Sequence, residues 1–228
     1  MSYRDKGLKT MNQPAQRLSH LRAWLSPADL PRNADLIFVL AGKVSRKEYA
    51  LELLRQGLAP SILFSVGRFE IRRFSKMALP VPLDLLKLAQ NLPPPQRHYF
   101  AFFCGQVVQV EHVRPGRLGT LTEIDALARW LKQNPDVRSV LIVSSDTHLR
   151  RIRMCCRALL RPGVEVAFLA TPSPETEKNE PASSARPSRP AKHSAFNATK
   201  EDLRELLKVA AYWVLLKARR NQRTLSRP

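Results

Sequence analysis

Two short apolar segments separated by an amphipathic helix constrain the fold of this chain more than any other feature. The segments span residues 35–41 and 61–65, and a helix is predicted between them over about 45–56. The first segment is apolar after its initial aspartate, as is typical of a strand covered on both faces. Strand, helix and strand in succession build parallel sheets with right-handed crossovers. We therefore predict an α/β fold, with a Rossmann-like, open, mostly parallel sheet and helices on both faces.

The chain continues this pattern of strands and helices up to residue 170. An aromatic and a valine-rich segment on either side of Gly105 and Gln106 predict a β-hairpin. The elements predicted after residue 67 are a helix at 82–90, strands at 98–104 and 107–113, a helix at 120–134, a strand from 140, a helix after 145 and a strand at 164–169.

Composition divides the chain into five segments around one α/β domain. A stretch rich in Pro, Ser, Glu, Lys and Ala has almost no large apolar side chain and predicts a flexible linker. The five segments are a basic N-terminal extension with a short helix at 16–25 (1–33), the α/β domain (34–171), the linker (172–195), a C-terminal helix (196–221) and a basic tail (222–228).

The C-terminal helix is predicted to begin at a capping residue, Asn197 or Thr199. A single amphipathic helix needs a partner surface, so we expect this one to pack back on the sheet. Its predicted apolar side consists of Leu203, Leu206, Leu207, Ala210, Trp213 and Val214.

The chain carries a large excess of positive charge. It has 38 Lys and Arg against 19 Asp and Glu, a formal net charge of +19. Such a balance suits phosphate-rich partners, namely nucleic acid, anionic lipid headgroups or a phosphorylated small molecule. The alternative is a charged surface without a specific partner. Both interpretations stand, because charge alone carries no sequence specificity.

Cysteine spacing and hydropathy limit the other classes of protein. The three cysteines lack a metal-ligand spacing such as C-x-x-C, so we predict no metal site, assign no cofactor and expect a reducing compartment. The N-terminus lacks the apolar core of a signal peptide. The longest apolar run, at 209–216, is far shorter than the roughly 20 residues of a membrane helix. We expect a cytoplasmic protein without a transmembrane segment, for which contact with a membrane surface stays an alternative.

Residues 140–153 combine a buried strand with the polar start of a helix. The apolar residues stop at Ser144 and Ser145, and Asp146 or Thr147 is predicted to cap the helix. Hydroxyls, backbone N–H groups, an imidazole and a guanidinium then meet at the carboxyl end of a strand. Open α/β sheets bind ligands there, and a helix N-terminus favours an anion.

Val143-Ser-Ser-x-x-His-x-x-Arg151 resembles the V-T-S-x-x-H-x-x-R signature of the YdcF/SanA/ElyC-like family of bacterial domains of unknown function. Further segments follow in the family's order: 36–42 as first strand and glycine turn, 46–60 as first helix, 65–67 in place of S-G-G, and Glu111 with 120–123 as the E…T-x-x-N/E element. The resemblance covers about residues 35–170. It implies a Rossmann-like fold, a polar cleft at the strand ends and a link to cell-envelope metabolism.

The predicted site gathers polar residues from several strand ends. Parallel strands place their carboxyl ends at one edge of the sheet, so we expect these residues to lie together: Gly42, Ser65, Gly67, Ser144 and Ser145. Arg46 and Arg151 open two of the helices, and their guanidiniums suit a phosphate or a carboxylate. In this hypothesis Ser145 donates a hydrogen bond and His148 moves a proton. The alternative for His148 is a structural histidine.

Two carboxylates complete the predicted site. Glu111 and Glu123 can each orient His148 or hold a cation. The alternative for Glu123 is an acidic residue at a helix N-terminus that stabilises the helix dipole. Thr120 belongs to the same family element as Glu123, and we include it among the ligand-binding residues.

Three function classes follow from these features. The first is binding of a small phosphorylated or nucleotide-like anion in the cleft, by a protein that can also be an enzyme of cell-envelope metabolism. The second is a basic protein that binds nucleic acid or an anionic surface, through an arginine stripe predicted to be solvated: Arg150, Arg153, Arg157 and Arg161. The third is a non-catalytic envelope factor whose C-terminal helix docks on a partner. Neither a Walker motif nor G-x-G-x-x-G nor G-x-S-x-G occurs, so standard nucleotide-hydrolase, dinucleotide-binding and α/β-hydrolase functions have no support.

Overall fold

The structure is a computed structural model that describes residues 24–25, 27–114, 119–172 and 192–225; for residues 192–201 and 219–225 it describes the helical backbone alone. Its strands are β1 (Leu36–Val39), β2 (Ser61–Val66), β3 (Tyr99–Cys104), β4 (Val107–His112), β5 (Ser139–Ser144) and β6 (Glu165–Ala170). Its α-helices are α1 (Val44–Arg55), α2 (Ile71–Phe74), α3 (Leu85–Ala89), α4 (Gly119–Gln133), α5 (Leu149–Leu159) and α6 (Lys192–Leu225). Short 3-10 turns lie at Pro94–Gln96 and Asp146–His148.

The six described strands form one sheet in the order β4-β3-β2-β1-β5-β6. β2, β1, β5 and β6 are parallel, with Ile37 opposite Ile62 and Phe38 opposite Ile142, whereas β3 runs antiparallel to both β2 and β4. The predicted α/β fold with a mostly parallel sheet is therefore confirmed, and so is the hairpin. From β1 the chain crosses to β2 on one side and later to β5 on the other. This reversal leaves a crevice at the carboxyl ends of β1 and β5, where open α/β sheets bind ligands.

Apolar side chains cover both faces of the sheet. Alternate residues of β1 belong to two separate clusters: Phe38 lies with Leu127 of α4 and Ile152 of α5, and Val39 lies with Leu51 of α1. The strand is fully buried, as its uninterrupted apolar sequence predicts. Each large apolar side chain buried in this way contributes about 1.5–3 kcal/mol. The two clusters hold α4 and α5 on one face and α1 to α3 on the other.

Most predicted elements begin and end within two residues of the observed ones. The helix predicted at 82–90 is shorter, because the Asp84 side chain accepts a hydrogen bond from the N–H of Leu86 and so caps α3. The helix predicted at 16–25 is described only at residues 24 and 25, which are helical. Most of the N-terminal extension (1–23), most of the linker (173–191) and the last three residues (226–228) lie outside the described residues.

The turn before α5 differs from the prediction. Neither the 3-10 turn Asp146–His148 nor α5 has a side-chain cap at its start. The Asp146 carboxylate accepts from the N–H of its immediate neighbour, Thr147 (2.7 Å). The prediction that Asp146 or Thr147 caps the helix is therefore wrong. Ser145, which precedes the turn, uses its hydroxyl to bind Arg46 instead.

The C-terminal helix α6 is longer than predicted at both ends. Asn197 and Thr199 lie inside it, so neither begins the helix as predicted. A side-chain cap contributes only about 1 kcal/mol, which leaves the start of the helix to be decided by other interactions. Within the described ranges, no helix combines the length and apolar character needed to cross a bilayer.

The face of α6 that packs on the domain also differs from the prediction. Five of the six residues expected to be buried are exposed: Leu203, Leu207, Ala210, Trp213 and Val214. The buried face instead contains Asp202, Glu205, Val209 and Tyr212. α6 contacts α5 and the turn at Asp146–His148, whereas the expectation was a contact with the sheet. An ion pair between Glu205 and Arg151 accompanies this orientation.

The predicted solvated arginine stripe on α5 is in large part bonded to the protein. Arg153 donates to the Asp29 carboxylate (2.8 Å), and Arg161 donates to two backbone carbonyls. Arg150 stacks on Trp24, and Arg157 is exposed. Arg153 and Arg161 are thus held by hydrogen bonds within the protein, and this weakens the case for nucleic acid because only two of the four predicted guanidiniums stay available to phosphates.

Candidate functional site

The candidate site lies at the carboxyl ends of β1 and β5, where the sheet reverses its strand order. Arg46, in the first turn of α1, spans this crevice. Its Nε and Nη2 donate to the Ser145 hydroxyl (3.0 and 2.7 Å), and its Nη1 donates to the carbonyl of Ala41 (2.9 Å). The side chain is buried, and burial lowers the pKa of its guanidinium. Arg46 thus joins the end of β1 to the residue that follows β5.

Gly42 makes room for this arginine. A Cβ atom at position 42 would lie 2.7 Å from Arg46 Nη1, closer than a real side chain allows. The φ angle of Gly42 is 138°, a backbone conformation that residues other than glycine rarely adopt. The glycine that ends β1 therefore serves the placement of a guanidinium, in addition to turning the chain.

His148 lies between Arg46 and the C-terminal helix. Its Nδ1 is 3.1 Å from Arg46 Nη2, and because a guanidinium can only donate, Nδ1 must accept. A neutral imidazole then carries its proton on Nε2, which faces the Glu205 carboxylate at 3.4 Å. Both ring nitrogens are therefore engaged in this arrangement. The side chain remains 29% exposed, so His148 forms part of the solvent-facing rim.

Arg151 is held more deeply. Its Nε donates to the Thr120 hydroxyl (3.2 Å), its Nη1 pairs with Glu205, and the guanidinium lies over the Tyr212 ring. The Glu205 carboxylate also accepts from Lys208 (2.7 Å). Burial raises the pKa of Glu205, but hydrogen bonds from His148 and Lys208 and the charge of Arg151 outweigh it and hold the pKa at about 2. Three positive or proton-donating side chains thus converge on one carboxylate.

A second carboxylate, Glu123 of α4, closes the crevice beside β2. Its Oε1 accepts from the N–H of Ala41 (2.7 Å) and from the hydroxyl of Ser65 (2.5 Å). Burial raises the pKa of Glu123 despite these hydrogen bonds. His98 Nε2 lies 2.7 Å from the same Ser65 hydroxyl, and burial lowers the pKa of His98 to about 4. The Ser65 hydroxyl is fully enclosed between these two groups.

A third carboxylate, Glu70, occupies the remaining backbone donors. Its Oε1 accepts from the N–H groups of Gly42 (2.7 Å) and Gly67 (3.3 Å), and its other oxygen pairs with Lys47. Lys47 is fully buried, and burial lowers the pKa of its ammonium group. Gly42 and Gly67 were predicted to bind a ligand, but their backbone N–H groups are bound by a carboxylate of the protein itself.

The structure brings most of the predicted site residues together, in two groups. Arg46, Thr120, Ser145, His148 and Arg151 surround the Glu205 carboxylate or its partners. Gly42, Ser65, Gly67 and Glu123 form the neighbouring hydrogen-bond network. The buried hydroxyl of Ser144 has no hydrogen-bond partner among the described residues, while its carbonyl accepts from Thr171.

Glu111 lies apart from both groups. It is exposed on β4, the outermost strand, with β3, β2 and β1 between it and β5. The carboxylate that faces His148 belongs to Glu205 of α6, so the predicted pairing of Glu111 with His148 is not what the structure shows. An antiparallel hairpin carries Glu111 to the far edge of the sheet, which the sequence order of the motifs did not reveal.

Several residues of the site were not predicted from the sequence: Lys47, Glu70, His98, Glu205 and Lys208. Two of them carried a usable signal, since Lys47 follows Arg46 directly and Glu70 stands three residues after a glycine turn. Glu205 carried none, because it is 54 residues away from Arg151 on a different helix. Among the described residues, no group of three or more His, Cys, Asp or Glu side chains could hold a metal ion.

We compared the chain with models of known families, with curated proteins and with solved structures, and it matches none of them.

Proposed function

We propose that this protein binds a small molecule through a phosphate or carboxylate group at the carboxyl ends of β1 and β5. In this proposal the anionic group takes the position that the Glu205 carboxylate occupies beside Arg151. The observation that carries the proposal is the set of donors around that carboxylate: Arg151, Lys208 and His148. These donors already hold an anion supplied by the chain.

The donors are also well ordered for such a ligand. Thr120 and the Tyr212 ring fix the guanidinium of Arg151, so little side-chain entropy remains to be lost on binding. Guanidinium groups match the oxygens of phosphates and carboxylates in pairs. A phosphate has three such oxygens, which suits a site with donors from both α5 and α6. This supports the phosphorylated or nucleotide-like class of ligand.

Binding requires an exchange of anions. Arg46 and Arg151 are 5% and 7% exposed, so a ligand reaches Arg151 when Glu205 withdraws. Arg151 has an anionic partner before and after the exchange, whereas a buried arginine without a partner costs about 3–5 kcal/mol. A ligand approaches over the rim formed by Gly42, Ser145 and His148, which are exposed or half-buried.

The exchange also changes the role of His148. When Glu205 leaves, the Nε2–H of the imidazole faces the incoming anion, while Arg46 still donates to Nδ1. His148 then acts as a hydrogen-bond donor to the ligand. The resemblance to the YdcF/SanA/ElyC-like family adds a place in cell-envelope metabolism to the proposal. The proposal itself covers binding and includes no chemical step.

Removal of the internal carboxylate tests the proposal. In Glu205→Ala, phosphate is expected to bind at least about tenfold more tightly than in the wild type, as measured by titration calorimetry. Phosphate at about a hundred times its dissociation constant should raise the free energy of unfolding of this variant by about 3 kcal/mol. Nucleotides and sugar phosphates then define the ligand class.

Two further variants make the result decisive. Glu52→Gln, at an exposed ion pair on α1, should bind phosphate as the wild type does. Arg151→Ala should bind none. If Glu205→Ala does not fold, Glu205→Gln replaces it, because the amide still bonds to Arg151. Failure of the folded Glu205 variant to bind phosphate, or equal binding by Arg151→Ala, would reject the proposed site.

A further inference from the structure

The face of α6 that points away from the domain carries a stripe of exposed apolar side chains. We define this apolar stripe as Leu203, Leu207, Trp213, Val214 and Leu215. Leu207, the most exposed of them, is 66% exposed. Leu203 and Leu207 each lie two positions from Glu205, which places them about 160° around the helix from it. These two leucines therefore lie on the side of α6 opposite to the face that packs on the domain.

A groove runs beside the apolar stripe, between α5 and α6. Its volume is about 680 Å³, and its walls include Trp24, Leu206 and Trp213. The charged side chains that line it among the described residues are Arg150, Arg153 and Arg157. Asp29 pairs with Arg153, so the net positive charge of the groove comes from Arg150 and Arg157. Apolar surface beside such positive charge is unusual for a face that stays in water. It indicates a partner that is both apolar and anionic.

Each of the two tryptophans that line the groove has a cationic side chain over its ring. The Arg150 guanidinium lies 4.2 Å from the centre of the Trp24 ring. On the other wall, the Lys217 ammonium group lies 5.0 Å from the centre of the Trp213 ring. Tryptophan combines an apolar body with a polar N–H, which favours the boundary between lipid headgroups and acyl chains. Neighbouring cations are placed to meet phosphate groups at the same depth.

We propose that the apolar stripe of α6 and the arginines of α5 dock the protein on the surface of an anionic phospholipid bilayer. The apolar side chains enter the boundary between headgroups and acyl chains, and Arg150, Arg157 and Lys217 contact the phosphates. In this proposal α6 lies along the surface, because its exposed apolar side chains extend over about three turns of the helix.

Charge and chemistry favour this occupant over the others. A second copy of the chain, related by twofold symmetry, would bring a second set of the same arginines into the interface, and the lining of the groove offers no acidic residue to pair with them. Nucleic acid would supply phosphates and stacking bases, but four of the five residues of the apolar stripe are aliphatic and a hydrated polyanion does not bury them. A bilayer satisfies both the apolar stripe and the cations.

Vesicle sedimentation with the full chain tests the proposal. The wild type is expected to sediment with vesicles of equal parts phosphatidylcholine and phosphatidylglycerol, and far less with phosphatidylcholine alone. Leu203→Glu/Leu207→Glu should lower the partition coefficient at least about tenfold, because two apolar anchors become anions. Phe69→Glu is the matched control: Phe69 is 82% exposed but lies outside the apolar stripe, and its variant should bind as the wild type does.

Four results would overturn the proposal. The first is the absence of sedimentation with anionic vesicles, and the second is equal sedimentation of the wild type and the Leu203→Glu/Leu207→Glu variant. The third is that the wild type binds neutral and anionic vesicles equally. The fourth is that the wild type is a dimer, that the variant is a monomer, and that neither binds vesicles. Loss of oligonucleotide binding in the stripe variant, with vesicle binding unchanged, counts as the second result. None of these depends on Glu205 or Arg151, so the proposed anion site stands or fails separately.

Discussion

At the scale of single residues, Gly42 shows how closely the site is packed around a guanidinium. Gly42→Ala places a Cβ atom against Arg46 Nη1 and forces a φ angle of 138° on alanine. We expect a loss of about 2–4 kcal/mol in the free energy of unfolding, measured by urea denaturation. Gly57→Ala is the control, because Gly57 also has positive φ (78°) but open space at its Cβ. Equal losses in the two variants would show that the contact with Arg46 does not matter.

Glu205 gives the site a characteristic dependence on pH. Its pKa of about 2 in the folded protein lies below its ordinary value of 4.5. A lowered pKa contributes stability that is complete above pH 4.5 and is lost as the pH falls towards 2. We therefore expect the difference in unfolding free energy between the wild type and Glu205→Gln to be largest near neutral pH. This difference should shrink as the pH falls from 4.5 towards 2.

The control for this pH dependence is Glu52→Gln, which removes an exposed carboxylate that pairs with Arg55. Its difference from the wild type should be small and nearly constant, because exposed ion pairs contribute about 0–1 kcal/mol. A constant difference for Glu205→Gln as well, in urea denaturation at a series of pH values, would contradict the ion-pair account of Glu205.

At the scale of elements, α6 separates two properties that usually coincide, the apolar face and the packed face. Leu207 is exposed, whereas Val209, two positions later, is 6% exposed. Val209→Glu is expected to cost about 2 kcal/mol of unfolding free energy or more, since it buries a carboxylate in place of an apolar group and the nearby arginines of α5 offset only part of that cost. Leu207→Glu should change it by less than about 0.5 kcal/mol. Denaturant titration of both variants decides which face is packed, and the reverse order would show that the predicted apolar side is buried.

The strands and part of the candidate site could be predicted from the sequence, whereas the packed face of α6 could not. The strands were predictable because fully apolar segments such as Leu36–Val39 leave little choice of structure. The position of Arg46, Ser145, His148 and Arg151 at one edge followed from parallel strand order. The face of α6 was predicted wrongly because hydrophobicity alone was used. An ion pair with a residue on another helix has no periodic pattern in the sequence.

At the scale of the whole molecule, the α/β domain contains most of the apolar core, and α6 covers part of it with a buried face that is half polar. Among the described residues of α6, the buried apolar side chains are Val209 and Tyr212. The two apolar clusters otherwise consist mainly of residues from the sheet and from α1 to α5. We therefore expect a chain that ends at residue 191 to remain soluble and to unfold cooperatively, with a lower midpoint temperature than the full chain.

This truncation also changes the surroundings of Arg151. In Glu205→Ala the arginine stays beneath α6 without a partner, whereas in the shortened chain it faces water, which removes the cost of a buried unpaired charge. Added phosphate should therefore raise the midpoint of the shortened chain more than that of the full chain, because the loss of the competing Glu205 carboxylate outweighs the loss of the Lys208 donor. Scanning calorimetry with and without phosphate measures both effects. An insoluble or non-cooperative product would mean that α6 belongs to the core, and an equal response to phosphate would mean that Glu205 does not compete for the site.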